Sequence, residues 1–315
     1  MMDDKITLME VCGGHTHTIM RYGLRNELPF DLISGPGCPV CVSSQHDIDC
    51  MIALANKGIP VATYGDMLRV PGTYGTLDDA RNEGAKVFTV YSAAEVLELK
   101  KSYQDIVFFG IGFETTAPMT TFLLEKDICV YSVHKTIPEA MQLLCVDGFI
   151  SPGHVAAIIG ADAFKEVNAP QVISGFGPEE LLRNIKILAE MVKKGKNTVI
   201  NGYPEVVSDK GNIIAQERLK KYFKRTDSDW RGLGIVPQSG LEVRDDRLNA
   251  KIKYRHILEG VKTKINEACR CGEVLQGLNP QECSLFGRGC TPENPQGACM
   301  VSAEGSCQIT YNGSH

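Results

Sequence analysis

Short apolar runs alternate with amphipathic ones between about residues 30 and 200. That alternation predicts parallel βα units. The predicted strands are DLISG (31–35), IPVATY (59–64), AKVFTVYS (85–92), DIVFFGIG (105–112), ICVYSVHK (128–135), GFISPG (148–153) and QVISG (171–175). Helices are predicted between them. SSQHDIDCMIALANKG (43–58) offers serine caps and a glycine stop. TLDDARNEGA, AAEVLELKKSY and TTAPMTTFLLEKD follow. The clearest is PEELLRNIKILAEMVKKG (178–195), with proline at its start, glutamates in the first turn, lysines in the last and glycine after.

Most of these strands end in glycine-containing turns that carry polar or reactive residues: SGPGCPVC, YGDMLRVPG, GIGFETTAP, SPGHV and SGFGPEE. Ligands of open α/β sheets bind outside the carboxyl ends of the strands. Turns of this kind therefore predict a cleft between two α/β halves. Beyond about residue 200 the alternation weakens, around a single tryptophan, Trp230, and a cysteine-rich tail begins near residue 266. The expected fold is α/β: two parallel-sheet α/β domains around a cleft plus a C-terminal cysteine-rich iron–sulfur domain. The expected segments are 1–95, 96–225 and 226–315.

Composition narrows the function. A chain of 315 residues with a net charge of -5 has no basic footprint for nucleic acid. Its longest apolar stretch, VFFGIGF (107–113), is interrupted by glycines and falls far short of a membrane span. The start, MMDDKITLME, lacks the basic and apolar regions of a signal peptide, so the expected location is the cytoplasm. Twelve cysteines in that compartment point to metal or thiol chemistry rather than a disulfide framework. Cys50, Cys129 and Cys145 lie in apolar contexts and read as buried small hydrophobes.

Six cysteines, Cys269, Cys271, Cys283, Cys290, Cys299 and Cys307, fall within the last 47 residues with no histidine among them. The paired C-x₂-C of a zinc ribbon is absent. Irregular glycine- and proline-rich loops suit an iron–sulfur cluster held by four thiolates, which leaves two cysteines for a disulfide. A closed zinc site with two bystanders is the alternative.

At the other end, EVCGGHTHTIM holds Cys12, His15 and His17, a thiolate and two imidazoles suited to a soft or borderline metal such as iron. An uncoordinated imidazole can instead lower the thiol pKa or move a proton, and a plain turn with two exposed histidines is the bland reading. In GPGCPVC, a helix is expected to start after Cys38, with Pro39 in its first turn and its dipole favouring a Cys38 thiolate. Cys38 and Cys41 then read as a redox couple, half of a metal site, or two buried cysteines at a turn. Nothing nearby supplies the rest of a thioredoxin. Glu114 in GFETTAP and His154 in SPGHV stand at strand ends, where a carboxylate and an imidazole facing one cleft can shuttle protons. The alternatives are a helix cap and a satisfied turn residue.

CGGHTH (12–17), GPGCPVC (35–41), GFETTAP (112–118), PGHV (152–155) and the tail's CMVSAEGSC, in this order and over nearly the whole chain, resemble the HypD family of NiFe-hydrogenase maturation proteins. The resemblance implies a redox-active assembly scaffold rather than a conventional turnover enzyme. Such proteins work with HypC and HypE in a transient HypCDE complex. Iron(II) is held while cyanide, delivered from HypE as a thiocyanate, and carbon monoxide are attached. The Fe(CN)₂CO unit then reaches the hydrogenase large subunit through HypC. The resemblance also implies two α/β domains plus a cluster domain, and a 4Fe–4S cluster beside a disulfide, as in ferredoxin:thioredoxin reductase. By motif, Cys12 becomes the iron-binding thiolate, shared with a cysteine of HypC, and Cys38 and Cys41 the redox pair. Four of the six tail cysteines become cluster ligands, with Cys269 and Cys271 expected to divide between the two roles. A stand-alone iron–sulfur thiol–disulfide reductase shares the cluster and the C-x₂-C but gives CGGHTH no role. A nucleotide-binding enzyme lacks both GxxxxGK[ST] and GxGxxG here.

Overall fold

The protein is described by a computed structural model covering residues 6–313. All seven predicted strands are present: β2 (Asp31–Ser34), β3 (Val61–Thr63), β4 (Val87–Thr89), β5 (Val107–Gly112), β6 (Cys129–His134), β7 (Gly148–Pro152) and β8 (Gln171–Ser174). Four more join them: β1 (Thr7–Glu10), β9 (Val199–Asn201), β10 (Phe223–Trp230) and β11 (Gly234–Val243). They form two wholly parallel sheets, in the orders β2-β1-β7-β8-β9 and β4-β3-β5-β6, and one antiparallel hairpin, β10-β11. β5 is buried along its whole length, as expected of a central strand covered on both faces.

The sheets interleave along the chain. The first begins with β1 and β2, is left while β3 to β6 build the second, and resumes at β7. Strand pairing therefore crosses the linear segments 1–95 and 96–225: β3 and β4 pair beside β5 and β6, not beside β1 and β2. The physical reason is that every βα unit here has the same apolar pattern. The pattern fixes each element but carries no label for its sheet.

The helices start where the sequence supplies caps. Pro39–Val42 follows Cys38 with proline in its first turn, and Gln45–Asn56 is capped by Ser44, whose hydroxyl accepts from the Asp47 N–H at 3.1 Å. Leu77–Asn82 opens with a capping box between Thr76 and Asp79. Pro178–Lys193 buries Leu181, Ile185 and Leu188 in a core cluster it shares with β1, β2, β7 and β8. Cys50 and Cys129 are buried, but Cys145 is exposed. It lies in the turn between helix Ile137–Met141 and β7, and apolar sequence neighbours alone do not bury it.

The hairpin escaped the sequence pattern because β10, FKRTDSDW, keeps only its two ends buried. Its anchor is Trp230, fully buried, with its ring stacked 5.9 Å from Phe113 and its N–H donated to the Ser239 hydroxyl at 2.8 Å. The Lys135 ammonium lies 5.3 Å from the indole and donates to the Ser228 hydroxyl and the Asp229 carbonyl, each at 2.6 Å. Burial lowers the Lys135 pKa to about 8. No helix among the described residues is long and apolar enough to cross a membrane.

Truncating the hairpin anchor tests this arrangement. Trp230→Ala is expected to cost about 3–5 kcal/mol of unfolding free energy in a urea titration. A loss below about 1 kcal/mol would show that the hairpin is held elsewhere.

Candidate functional site

Neighbouring parallel strands all point the same way, so the residues that follow them gather along one sheet edge. Here β1 leads to Cys12, β2 to the GPGC turn, β7 to His154 and β8 to Phe176. The two motifs after β1 and β2 are held together through backbone. The Gly13 N–H donates to the Gly37 carbonyl at 3.1 Å, and the Gly35 N–H to the Glu10 carbonyl at 2.8 Å. A Cβ on Gly37 would overlap the backbone nitrogen and Cα of Cys12, so only glycine allows this approach.

Cys12 caps helix Gly13–Arg21 from an extended backbone conformation and is half-buried. Burial pushes its thiol up to about 12, against the pull of the His15 and Gly14 N–H groups. Cys38 and Cys41 are joined in a disulfide, and the Cys38 sulfur accepts the Cys41 N–H at 3.1 Å. That sulfur is therefore a disulfide sulfur, where the sequence suggested a helix-stabilised thiolate.

His15 is fully buried, and its Nε2–H is shared between the carbonyls of Ser174 at 3.2 Å and Gly175 at 3.0 Å. With Nε2 donating, Nδ1 carries the lone pair, and that atom is buried without a partner. Burial lowers the His15 pKa to about 4, so the ring is neutral near pH 7. Phe176 packs against both imidazoles, 4.8 Å from His15 and 4.3 Å from His154. His154 and His17 are exposed.

Sequence reasoning missed a buried carboxyl bonded to the Cys12 backbone. Glu10, fully buried, accepts the Cys12 N–H at 3.0 Å and the Thr16 hydroxyl at 2.5 Å. Burial raises its pKa to about 7, despite hydrogen bonds from Ser34, Thr16 and Cys12 and the nearby Arg25 charge. The available signal was a carboxylate closing the apolar run TLME just before a glycine-rich turn. Glu304, in CMVSAEGSC, was also passed over; it packs against Gly13, where a Cβ would overlap its side chain.

Glu114 occupies the matching position in the other sheet, after β5. Its Oε1 accepts the Ile137 N–H at 3.1 Å, while Oε2 is buried without a partner. Burial lifts its pKa to about 8, and the nearby Glu139 adds to the rise. Its neighbours are Glu139 and Arg225, whereas His154 belongs to the Phe176 group.

In the tail, Cys269, Cys271, Cys283, Cys290, Cys299 and Cys307 line one small, partly open chamber of about 10 Å³ with Phe286 and Met300. All six are free thiols, and the sulfurs of Cys271 and Cys299 lie 2.8 Å apart. The Cys271 thiol is held well below its usual pKa by hydrogen bonds from Cys269 and Cys299, whose own thiols are pushed up in exchange. Gly297 forms part of the wall, where a Cβ would come within 2.6 Å of the Cys269 sulfur. Among the described residues, no three His, Cys, Asp or Glu side chains are spaced to hold a single metal ion. A cluster, which takes one thiolate at each of several irons, fits the donor set better: six sulfurs around one chamber, with glycine where a side chain would intrude. Helix Ala298–Val301, which carries Cys299, packs against helix Pro39–Val42, which carries Cys41.

The buried carboxyls give a pH test. The folded-state pKa of Glu114 lies above its unfolded value near 4.5, so the folded protein keeps a proton that the unfolded chain releases. Its contribution to stability is full below pH 4.5 and is lost as pH rises toward 8. Between pH 4.5 and 6.5 the buried neutral His15 and His134 work in the opposite sense. Relative to wild type, Glu114→Gln should therefore gain on the order of 1–2 kcal/mol in urea unfolding between about pH 6.5 and 8. Parallel stability curves for the two proteins would refute the buried, protonated carboxyl.

A family model described as HypD, hydrogenase formation hypA family, matches residues 1–314. The hydrogenase maturation factor HypD of Azotobacter vinelandii is 40% identical over 334 residues, covering 96% of this chain and 88% of the relative. That of Escherichia coli strain K12 is 38% identical over 332 residues, covering 97% and 88%. That of Rhodobacter capsulatus is 37% identical over 330 residues, covering 96% and 88%. The chain belongs to the HypD family.

Proposed function

We propose that this chain is a redox-active scaffold for building the Fe(CN)₂CO unit of a NiFe hydrogenase. It works in the cytoplasm with a HypC-like and a HypE-like partner and passes the unit through HypC to the hydrogenase large subunit. The family assignment supports a maturation role. The observation that carries the finer reading is the placement of Cys12 directly against the turn that leads into the Cys38–Cys41 disulfide, at a sheet edge that also holds a neutral, half-unsatisfied His15.

The cargo iron is the substrate. Cys12 alone keeps its proton, because its buried thiolate has no compensating charge. An iron(II) ion supplies that charge, so binding and deprotonation occur together. Glu10, with a pKa near 7 and its carboxylate on the Cys12 N–H, is a group beside Cys12 able to take up the proton. The unpartnered Nδ1 of His15 stands at the same edge. A cysteine from HypC completes the thiolate pair, and soft thiolates suit the low-spin iron that cyanide and carbon monoxide require.

Cyanide arrives as a thiocyanate on HypE. Breaking its S–C bond to give a thiolate and cyanide takes two electrons. The reduced Cys38 and Cys41 thiols supply them, lose two protons and close to the disulfide. Four of the six tail cysteines would hold a 4Fe–4S cluster, which would supply single-electron chemistry for restoring the dithiol. The packing of the Cys299 helix on the Cys41 helix favours that route.

The test is an infrared spectrum of the chain co-purified anaerobically with its HypC-like partner. Cyanide and carbon monoxide stretches are expected in the wild type and absent in Cys12→Ala, whose tail iron and sulfide content should be unchanged. Bands that persist in the variant would remove Cys12 as the anchor. A maturation-competent wild-type complex without bands would favour the stand-alone disulfide reductase.

A further inference from the structure

The tip of the β10–β11 hairpin touches both cysteine centres. On one side, the Arg231 N–H donates to the Val42 carbonyl at 3.0 Å, and its Nε–H to the Ser43 carbonyl at 3.2 Å. Those are the two residues after Cys41. Its Nη1 reaches Gln45 Oε1 at 3.3 Å, and Trp230 forms a β-bridge with Ser43. On the other side, Gly232 lies backbone to backbone against Gly272, the residue after Cys271. A Cβ on either glycine would strike the other's main chain. Gln276 fastens the contact by donating to the Gly232 carbonyl at 2.8 Å.

Arg231, Cys269 and Cys271 line one open cleft of about 460 Å³, and both cysteines also line the tail chamber. The cleft therefore shares a wall with the chamber. Two guanidinium groups line it. Arg270 is paired with Glu273 at 2.5 Å, whereas Arg231 makes no ion pair among the described residues. The Nη2 of Arg231 is buried with no hydrogen-bond partner. A buried, unpaired cation costs stability unless negative charge faces it. The chamber cysteines lie on its inner side; Asp229 and the already paired Glu273 also line the cleft, with Arg270 as the second cation.

We propose that Arg231 is a positioning residue that locks the segment following Cys41 to the tail cysteines and, as a fixed cation beside Cys271, raises the reduction potential of the centre they hold. The inference rests on the redox reading above. Reduction adds one electron, from a low-potential donor, to a centre whose thiolates already carry negative charge. A nearby fixed positive charge favours the reduced form.

The experiment is a dithionite redox titration of the anaerobically purified full-length chain, followed by cluster absorbance and electron paramagnetic resonance. At the potential where the wild type is half-reduced, Arg231→Gln should show at least a fivefold lower ratio of reduced to oxidised centre. Arg231→Lys, which keeps the charge, should stay within twofold of wild type. Gln45→Glu pairs the guanidinium without emptying its place and should move in the same direction as Arg231→Gln, by less. This variant decides the matter if Arg231→Gln does not fold. Superimposable titrations of Gln45→Glu, Arg231→Gln and wild type, with a cluster present, would overturn the Arg231 role alone. A wild-type chain without cluster iron and sulfide would overturn the redox reading, and this inference with it.

Discussion

The close approach of Gly37 to the Cys12 backbone is the contact on which the site depends. Parallel pairing of β1 with β2 brings the two following turns side by side, but it does not make them touch. The touch requires a residue with no Cβ, and it places a free thiol and a disulfide on adjoining turns. Any side chain at Gly37 would push the turns apart and separate Cys12 from the Cys38–Cys41 disulfide.

Burial then sets the electrostatic state. Glu10, Cys12, His15 and Glu114 all depart from their usual pKa values, and desolvation is the leading cause in each case. Near pH 7 Cys12 and His15 are both uncharged, and Glu10 sits close to its midpoint. The Nδ1 of His15 and the Oε2 of Glu114 are polar atoms left without partners in the interior.

Much of this was legible in the sequence, and the limits follow from range. The seven strands and the helix starts at Pro39 and Pro178 were readable because periodicity and capping are local signals. The turns at Cys38 and His154 could be picked out as glycine-containing turns at strand ends, and Cys12 by its thiol beside two imidazoles, although β1 before it was not predicted. Glu10 was not singled out, because a lone carboxylate after TLM resembles any exposed strand end until its burial is known. The hairpin was missed because one face of β10 is exposed and its polar residues hide a strand held by Trp230 and Lys135. The interleaving of the sheets is a long-range choice between equivalent βα units, and no local pattern encodes it.

The cysteine-rich tail is part of the site rather than an appendage to it. Its C-terminal helix, Ser306–Gly313, packs on helix Gly13–Arg21, and Glu304 closes against Gly13 next to Cys12. Helix Ala298–Val301 lies on the Cys41 helix. The tail thus reaches both motifs at once and meets the hairpin tip at Gly272. A separate cluster module on a linker would deliver electrons only by diffusion and docking. Here the tail cysteines and the Cys38–Cys41 pair are joined by packed backbone.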